Sequence, residues 1–250
     1  MLKIKFLTLL FLFTPLAHAI PVIEMGEGFD KQSPEEILRA RIQIEAEFAN
    51  AINPNILPLQ EQTRILKKYS YVDPQGDVPQ DLLDEAILYF DTNKDKFPNQ
   101  AYITIVDFNP RSDHYRFYLV NMVDGSSEKY HTTHGVGSDK KKTGYATIFG
   151  NVINSGMSSL GPIRTAEVYS GKYKVSVRLD GLADTNSNIR ERSIIFHGWD
   201  RVHEANVIQG LSWGCITLDW KVKDAVLEKI KEGSLMYVGV SKQEPKLSQR

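Results

Sequence analysis

The sequence predicts a mainly β domain with a short C-terminal helix, preceded by an α-helical N-terminal segment, giving an α+β chain overall. Three observations predict it. Apolar residues recur at helical spacing as far as Phe90, strand-like runs rich in β-branched and aromatic residues take over from Ala101, and helical spacing returns only after Asp219.

Met1 to Ala19 reads as a secretory signal, with Lys3 and Lys5 as a positive start, an apolar run from Phe6 to Phe13, and Ala17-His18-Ala19 as a small-x-small cleavage site. The apolar run is too short to span a membrane as a helix, and no later segment is apolar for long enough, so no stable membrane insertion is expected after cleavage. Removing 19 of 250 residues leaves 231, enough for one well-buried domain with an accessory segment. The chain has 30 basic and 31 acidic residues, or 28 against 31 without Lys3 and Lys5. That balance supplies no electrostatic footprint for nucleic acid.

Ser33-Pro34-Glu35-Glu36 is a helix start, with Ser33 as N-cap, Pro34 at the first helical position and Glu36 completing a capping box. Ile37, Ile44, Phe48 and Ala51 mark one apolar face before Asn53-Pro54. Further amphipathic pieces run from Leu59 to Tyr69 and from Asp81 to Phe90, separated by the turn Asp73-Pro74-Gln75-Gly76. Residues 20–98 thus form a helical segment, read as a buttress for the sheet rather than a docking surface, since no carbohydrate-binding repeat is recognisable.

Residues 99–241 make the second domain. Strands are expected at Tyr102 to Phe108, Tyr115 to Met122 and Lys129 to Thr133, the last two joined by the turn Val123-Asp124-Gly125-Ser126 and the last ending at His134-Gly135. The three lysines within Gly137 to Thr143 belong to a solvated loop, and Asn154 to Pro162 is a turn-forming stretch able to rim a site. A hairpin follows from Ile163 to Val168 and Tyr173 to Leu179. After a polar stretch to Arg192 comes the apolar run Ser193 to Trp199. Asp219 caps a helix with Val222, Ala225, Val226 and Ile230 on one face, ending at Gly233, and Ser234 to Val240 is the last strand. Residues 242–250 are a polar, flexible tail.

The chemistry centres on Ser193 to Asp219, which holds the single cysteine, Cys215, and places His197-Gly198 on one element and Gly210 to Asp219 on the next. A thiol with an ordinary pKa of about 8.5 is mostly protonated at neutral pH and needs a base. His197 can take that proton and later return it to a leaving amine. Gly214 lets backbone approach an acyl group closely, so the Gly214 and Cys215 amides are candidate oxyanion donors. A lone cysteine can equally be a small buried hydrophobe, and a strand-end histidine a satisfied polar residue. Spacing alone favours this second reading, and compartment and family resemblance reverse the order. In an exported protein Cys215 has no intramolecular disulfide partner, which favours a functional thiol. No zinc pattern, Gly-x-Ser-x-Gly elbow or phosphate-cradling loop is present, so cofactor-free chemistry without a metal is expected.

His197-Gly198 followed by Ser212-Trp213-Gly214-Cys215 resembles the signature of L,D-transpeptidases, cysteine enzymes that cross-link peptidoglycan. His134-Gly135-Val136-Gly137-Ser138, Ser158-Ser159-Leu160-Gly161, Tyr169-Ser170-Gly171-Lys172 and Arg178 to Leu182 resemble, in that order, blocks of the murein L,D-transpeptidase catalytic-domain branch. The resemblance implies an L,D-transpeptidase-like β-sandwich or barrel, a periplasmic or wall-associated location, and acyl transfer from a stem tetrapeptide through a thioester on Cys215. It also implies that His197 is oriented by the Gly198 carbonyl and that carbapenem-type β-lactams inhibit. Candidate substrate contacts are Ser212, Trp213, His134 and Ser159, with Arg201 and Arg190 as candidate carboxylate anchors and Arg192 beside them. The chain departs from the pattern at Thr217, where the wider family usually has a basic residue, and at Leu211, where the closer branch often has Arg. An L,D-carboxypeptidase or other cysteine peptidase, or a catalytically silent wall-binding module, are the alternatives.

Overall fold

A computed structural model describes residues 31–242. The expected cleavage site after Ala19 and nearly all of the polar tail lie outside the described residues. Helices α1 (Pro34–Phe48), α2 (Leu59–Lys68) and α3 (Gln80–Thr92) precede strands β1 (Tyr102–Asp107), β2 (Phe117–Asn121), β3 (Ser127–Tyr130), β4 (His134–Gly135), β5 (Gly161–Gly171), β6 (Lys174–Gly181), β7 (Ile195–Gly198), β8 (Leu211–Ser212) and β9 (Ile216–Leu218). Helix α4 (Trp220–Ile230) and strand β10 (Leu235–Gly239) follow. The α+β, mainly β class read from the sequence is the class observed.

Helix α1 starts where its capping box requires, since Ser33 Oγ accepts from the Glu36 amide and the Glu36 carboxylate accepts from the Ser33 amide. At α4 the Asp219 carboxylate accepts from the Lys221 amide, satisfying one of the orphan donors of a helix start. The Asp73 turn is closed by Gly76 donating to Asp73 O at 2.9 Å.

Eight strands form one mixed sheet in the order β3-β2-β1-β10-β5-β6-β7-β9, with β1–β10 and β7–β9 parallel; β4 and β8 pair separately. Alternation along β1 shows why its sequence reads as a continuous apolar run. Ile103 and Ile105 face a core shared with Ile65, Leu82, Leu83, Phe90 and Phe97, while Val106 joins Phe117, Phe196, Ile216 and Ile230 on the other side. Helices thus cover both faces, and burial on both favours unbroken hydrophobic strands.

The third strand differs from its expected span. It ends at Tyr130 rather than Thr133, because Thr132 and Thr133 turn inward to β9: Thr132 Oγ1 donates to Thr217 O at 2.8 Å, and the Thr133 and Thr217 hydroxyls are 2.7 Å apart. His134-Gly135 then pairs in parallel with Leu211-Ser212. The sheet edge is thereby tied to the segment that carries the cysteine. No helix among the described residues is long and apolar enough to cross a membrane.

Candidate active site

Strands β7 and β9 lie side by side in parallel register, Phe196 opposite Ile216, His197 opposite Thr217 and Gly198 opposite Leu218. Cys215 sits immediately before β9, at the end of a turn that one hydroxyl closes. Ser212 Oγ donates to Cys215 O at 2.9 Å and accepts from the Gly214 amide at 3.1 Å. Ser212 thus braces the turn, and the Gly214 N–H, expected to face an oxyanion, is already engaged. Gly214 has φ of +110°, and a Cβ there would lie 2.6 Å from Met157 O, so only glycine fits.

His197 is 3 % exposed, and its Nδ1 lies 2.8 Å from Gly198 O. A carbonyl can only accept, so Nδ1 carries the proton and a neutral ring offers its lone pair at Nε2. The Tyr173 ring, in the turn between β5 and β6, stacks on the imidazole with centroids 3.9 Å apart. Burial pushes His197 down to about 4, against the carbonyl bond, and the nearby Lys223 charge acts in the same direction as burial. Gly198 admits the Trp220 ring, since a Cβ there would be 2.3 Å from Trp220 Cε3.

Cys215 is also 3 % exposed, and its Sγ donates to Ser193 O at 3.8 Å. Burial pushes the thiol up to about 11, opposed by the Ile195 amide and by the Arg192 charge. The structure sets Cys215 directly before β9 and His197 on the neighbouring strand β7, both uncharged. Creating an ion pair in so dry a site costs several kcal/mol per charge before mutual attraction repays it.

The remaining candidates separate by environment. Trp213 is 51 % exposed beside the cysteine. Ser159 Oγ donates to Gly150 O and accepts from Arg192 Nη1 at 2.5 Å, so it orients that guanidinium. His134 is buried, with Nδ1 2.9 Å from Arg116 Nη1 and Nε2 3.5 Å from Asp139; burial pushes it down to about 4. As a member of the β4–β8 pair it is therefore enclosed within the fold rather than open to a ligand. Arg190 is committed to Glu167 through two bonds of 2.7 and 2.8 Å and to Asp180, so its charge is matched within the fold. Arg201 is exposed and lies over the Trp199 ring at 5.5 Å. The residues that sequence reasoning did not single out are Tyr173 and Lys223, which meet at His197 only through the sheet. No group of three or more metal-ligating side chains occurs among the described residues.

A family model described as the L,D-transpeptidase catalytic domain matches residues 74–238. The chain belongs to the L,D-transpeptidase family. No curated protein matches it. Among solved structures it is similar to an L,D-transpeptidase from Mycobacterium smegmatis, at 12 % identity and TM-score 0.37, over 56 % of this chain and 59 % of that one. It is also similar to L,D-transpeptidase 3 from Mycobacterium tuberculosis in complex with a faropenem-derived adduct, at 11 %, 0.36, 55 % and 60 %. A further similar structure is the helical cell shape determining protein Pgp2 from Campylobacter jejuni, at 12 %, 0.35, 59 % and 50 %. The chain thus spans about three fifths or less of these proteins' lengths.

The L,D-transpeptidase pattern is broken at Thr217, and the structure supplies the reason that a threonine fits. Its side chain is fully buried and bonded to Thr133, opposite His197. A long basic side chain there would displace that bond. In this member of the L,D-transpeptidases the cation whose field reaches the thiol is Arg192.

Proposed function

We propose that this chain is an exported L,D-transpeptidase that cross-links peptidoglycan stem peptides through a thioester on Cys215. The observation that carries the reading is the placement of Cys215 directly before β9, which runs parallel to the β7 strand that bears His197, with the imidazole fixed by Gly198 O. In the first step the thiol proton passes to His197 Nε2 and Sγ attacks the donor carbonyl carbon. An S–C bond forms, the C–N bond to the terminal D-residue breaks, and the leaving amine takes the proton from His197. An acceptor amine then attacks the thioester, a C–N bond forms, the C–S bond breaks, and the thiol regains a proton through His197. Of the expected N-terminal segment 20–98, the described residues from 31 onward act as a helical buttress, and residues 99–241 act as the catalytic domain.

Incubating purified protein with disaccharide tetrapeptides, with products read by mass spectrometry, tests the reading. Cross-linked dimers are expected, and Cys215→Ala should give none. Shortened monomers alone would mean that water is the acceptor and that the enzyme is a carboxypeptidase. A β-lactam of carbapenem type should add its mass to the wild type and not to Cys215→Ala. Arg201→Ala should raise the stem-peptide KM by roughly the 10-fold or more of a lost charge-assisted hydrogen bond, leaving kcat nearly unchanged.

A further inference from the structure

The acyl-transfer scheme leaves unused a buried guanidinium beside the thiol. Arg192 is 3 % exposed and its donors meet only uncharged acceptors: Nη1 bonds Gly150 O at 2.8 Å and Ser159 Oγ, and Nη2 bonds Met157 O. No carboxylate pairs with it among the described residues, whereas Arg190, two positions earlier, meets both Glu167 and Asp180. A buried charge without a counter-charge is costly, and carbonyl dipoles offset only part of that cost. The cation therefore fits best opposite a negative charge that exists only at one stage of a reaction.

That charge is at hand. A Cβ on Gly214 would lie 3.2 Å from Arg192 Nη2, so the guanidinium rests against the Gly214-Cys215 turn. Arg192 also directly precedes Ser193, whose carbonyl receives the thiol hydrogen at 3.8 Å. The other ionisable groups around the pair lie on the His197 side: His197 itself on β7, Tyr173 stacked on it from the β5–β6 turn, and Lys223 from α4. From the 150–159 stretch Arg192 meets only Gly150, Met157 and Ser159.

We propose that Arg192 is the fixed counter-cation of the Cys215 thiolate, a positioning residue locked by the oxygens of Gly150, Met157 and Ser159 rather than an anchor for a substrate carboxylate. This deepens the reading of Cys215 as the nucleophile and rests on it. It accounts for the uncompensated cation and for the close packing that makes Gly214 obligatory. It also explains how a thiol whose burial opposes ionisation can ionise.

Cys215 is the single cysteine, so ultraviolet thiolate absorbance as a function of pH, taken as a difference from Cys215→Ala, reads its ionisation directly. Full-length wild type, Arg192→Met, Arg192→Lys and Ser159→Ala are compared, each checked for folding by circular dichroism and thermal melting. Removing the charge in Arg192→Met should raise the midpoint by about one pH unit or more, Arg192→Lys should recover most of the difference, and Ser159→Ala should fall between. An unchanged midpoint in folded Arg192→Met overturns the proposal. If Arg192→Met does not fold, an unchanged midpoint in folded Ser159→Ala overturns it. Because no substrate is involved, a raised midpoint in a protein that makes no cross-links would sink the transpeptidase reading alone, and cross-linking with no change in midpoint would sink this one alone.

Discussion

Gly198 and Gly214 were legible in the sequence as motif glycines, but the reasons for them were not. Both reasons are contacts with distant chain: the Trp220 ring against Gly198 and the Met157 carbonyl against Gly214, the latter with φ in the region that only glycine enters readily. Gly198→Ala should therefore destabilise by about 1–3 kcal/mol through overpacking, measured by urea unfolding, and slow acyl transfer because the carbonyl that orients His197 moves with it. Arg190 and Arg192 show the same limit. They are two positions apart in one polar stretch and equivalent as sequence. Only long-range partners, Glu167 and Asp180 for one and backbone oxygens for the other, make the first a structural ion pair and the second an isolated cation.

Elements with local signals were readable: the capping box of α1, the Asp219 cap of α4, the strand runs of β1 and β2. The end of β3 was not, because inward-turning threonine hydroxyls, rather than propensity, take Thr132 and Thr133 away from the strand path. The β5–β6 hairpin was readable as a hairpin, yet nothing in its pattern announced that the turn residue Tyr173 stacks over His197. That stack helps keep the imidazole dry, and burial is the leading reason that His197 lies at about 4. Tyr173→Ala should move the His197 midpoint upward toward its ordinary 6.5, as followed by the imidazole signals in NMR titration. It should also speed alkylation of Cys215 severalfold by a small neutral reagent. No movement of the midpoint would mean that packing beneath the ring, from β7 and α4, keeps it neutral without the hairpin.

For the molecule as a whole, two buried histidines set a pH window for stability. His197 and His134 each lie at about 4 in the fold, with burial as the leading cause, against an ordinary value of 6.5. As pH falls through 6.5 the unfolded chain takes up these protons while the fold does not. The unfolded state then binds more protons and stability drops, until the folded histidines protonate near pH 4 and the loss levels off. Each group is worth on the order of 3 kcal/mol across the window, a large share of a typical total of about 5–15 kcal/mol. Asp113, Asp139 and Glu167 are held below their ordinary values by hydrogen bonds and ion pairs, so their contributions are present above the unfolded carboxylate range and are lost only below it. Acid loss above that range therefore belongs to the histidines. Urea unfolding at a series of pH values should show stability falling between 6.5 and 4. His134→Gln should be less stable at neutral pH, having lost the ring that faces Arg116, but should fall with a shallower slope. An unchanged slope in His134→Gln would mean that His134 is already protonated in the fold, paired with Asp139 at 3.5 Å.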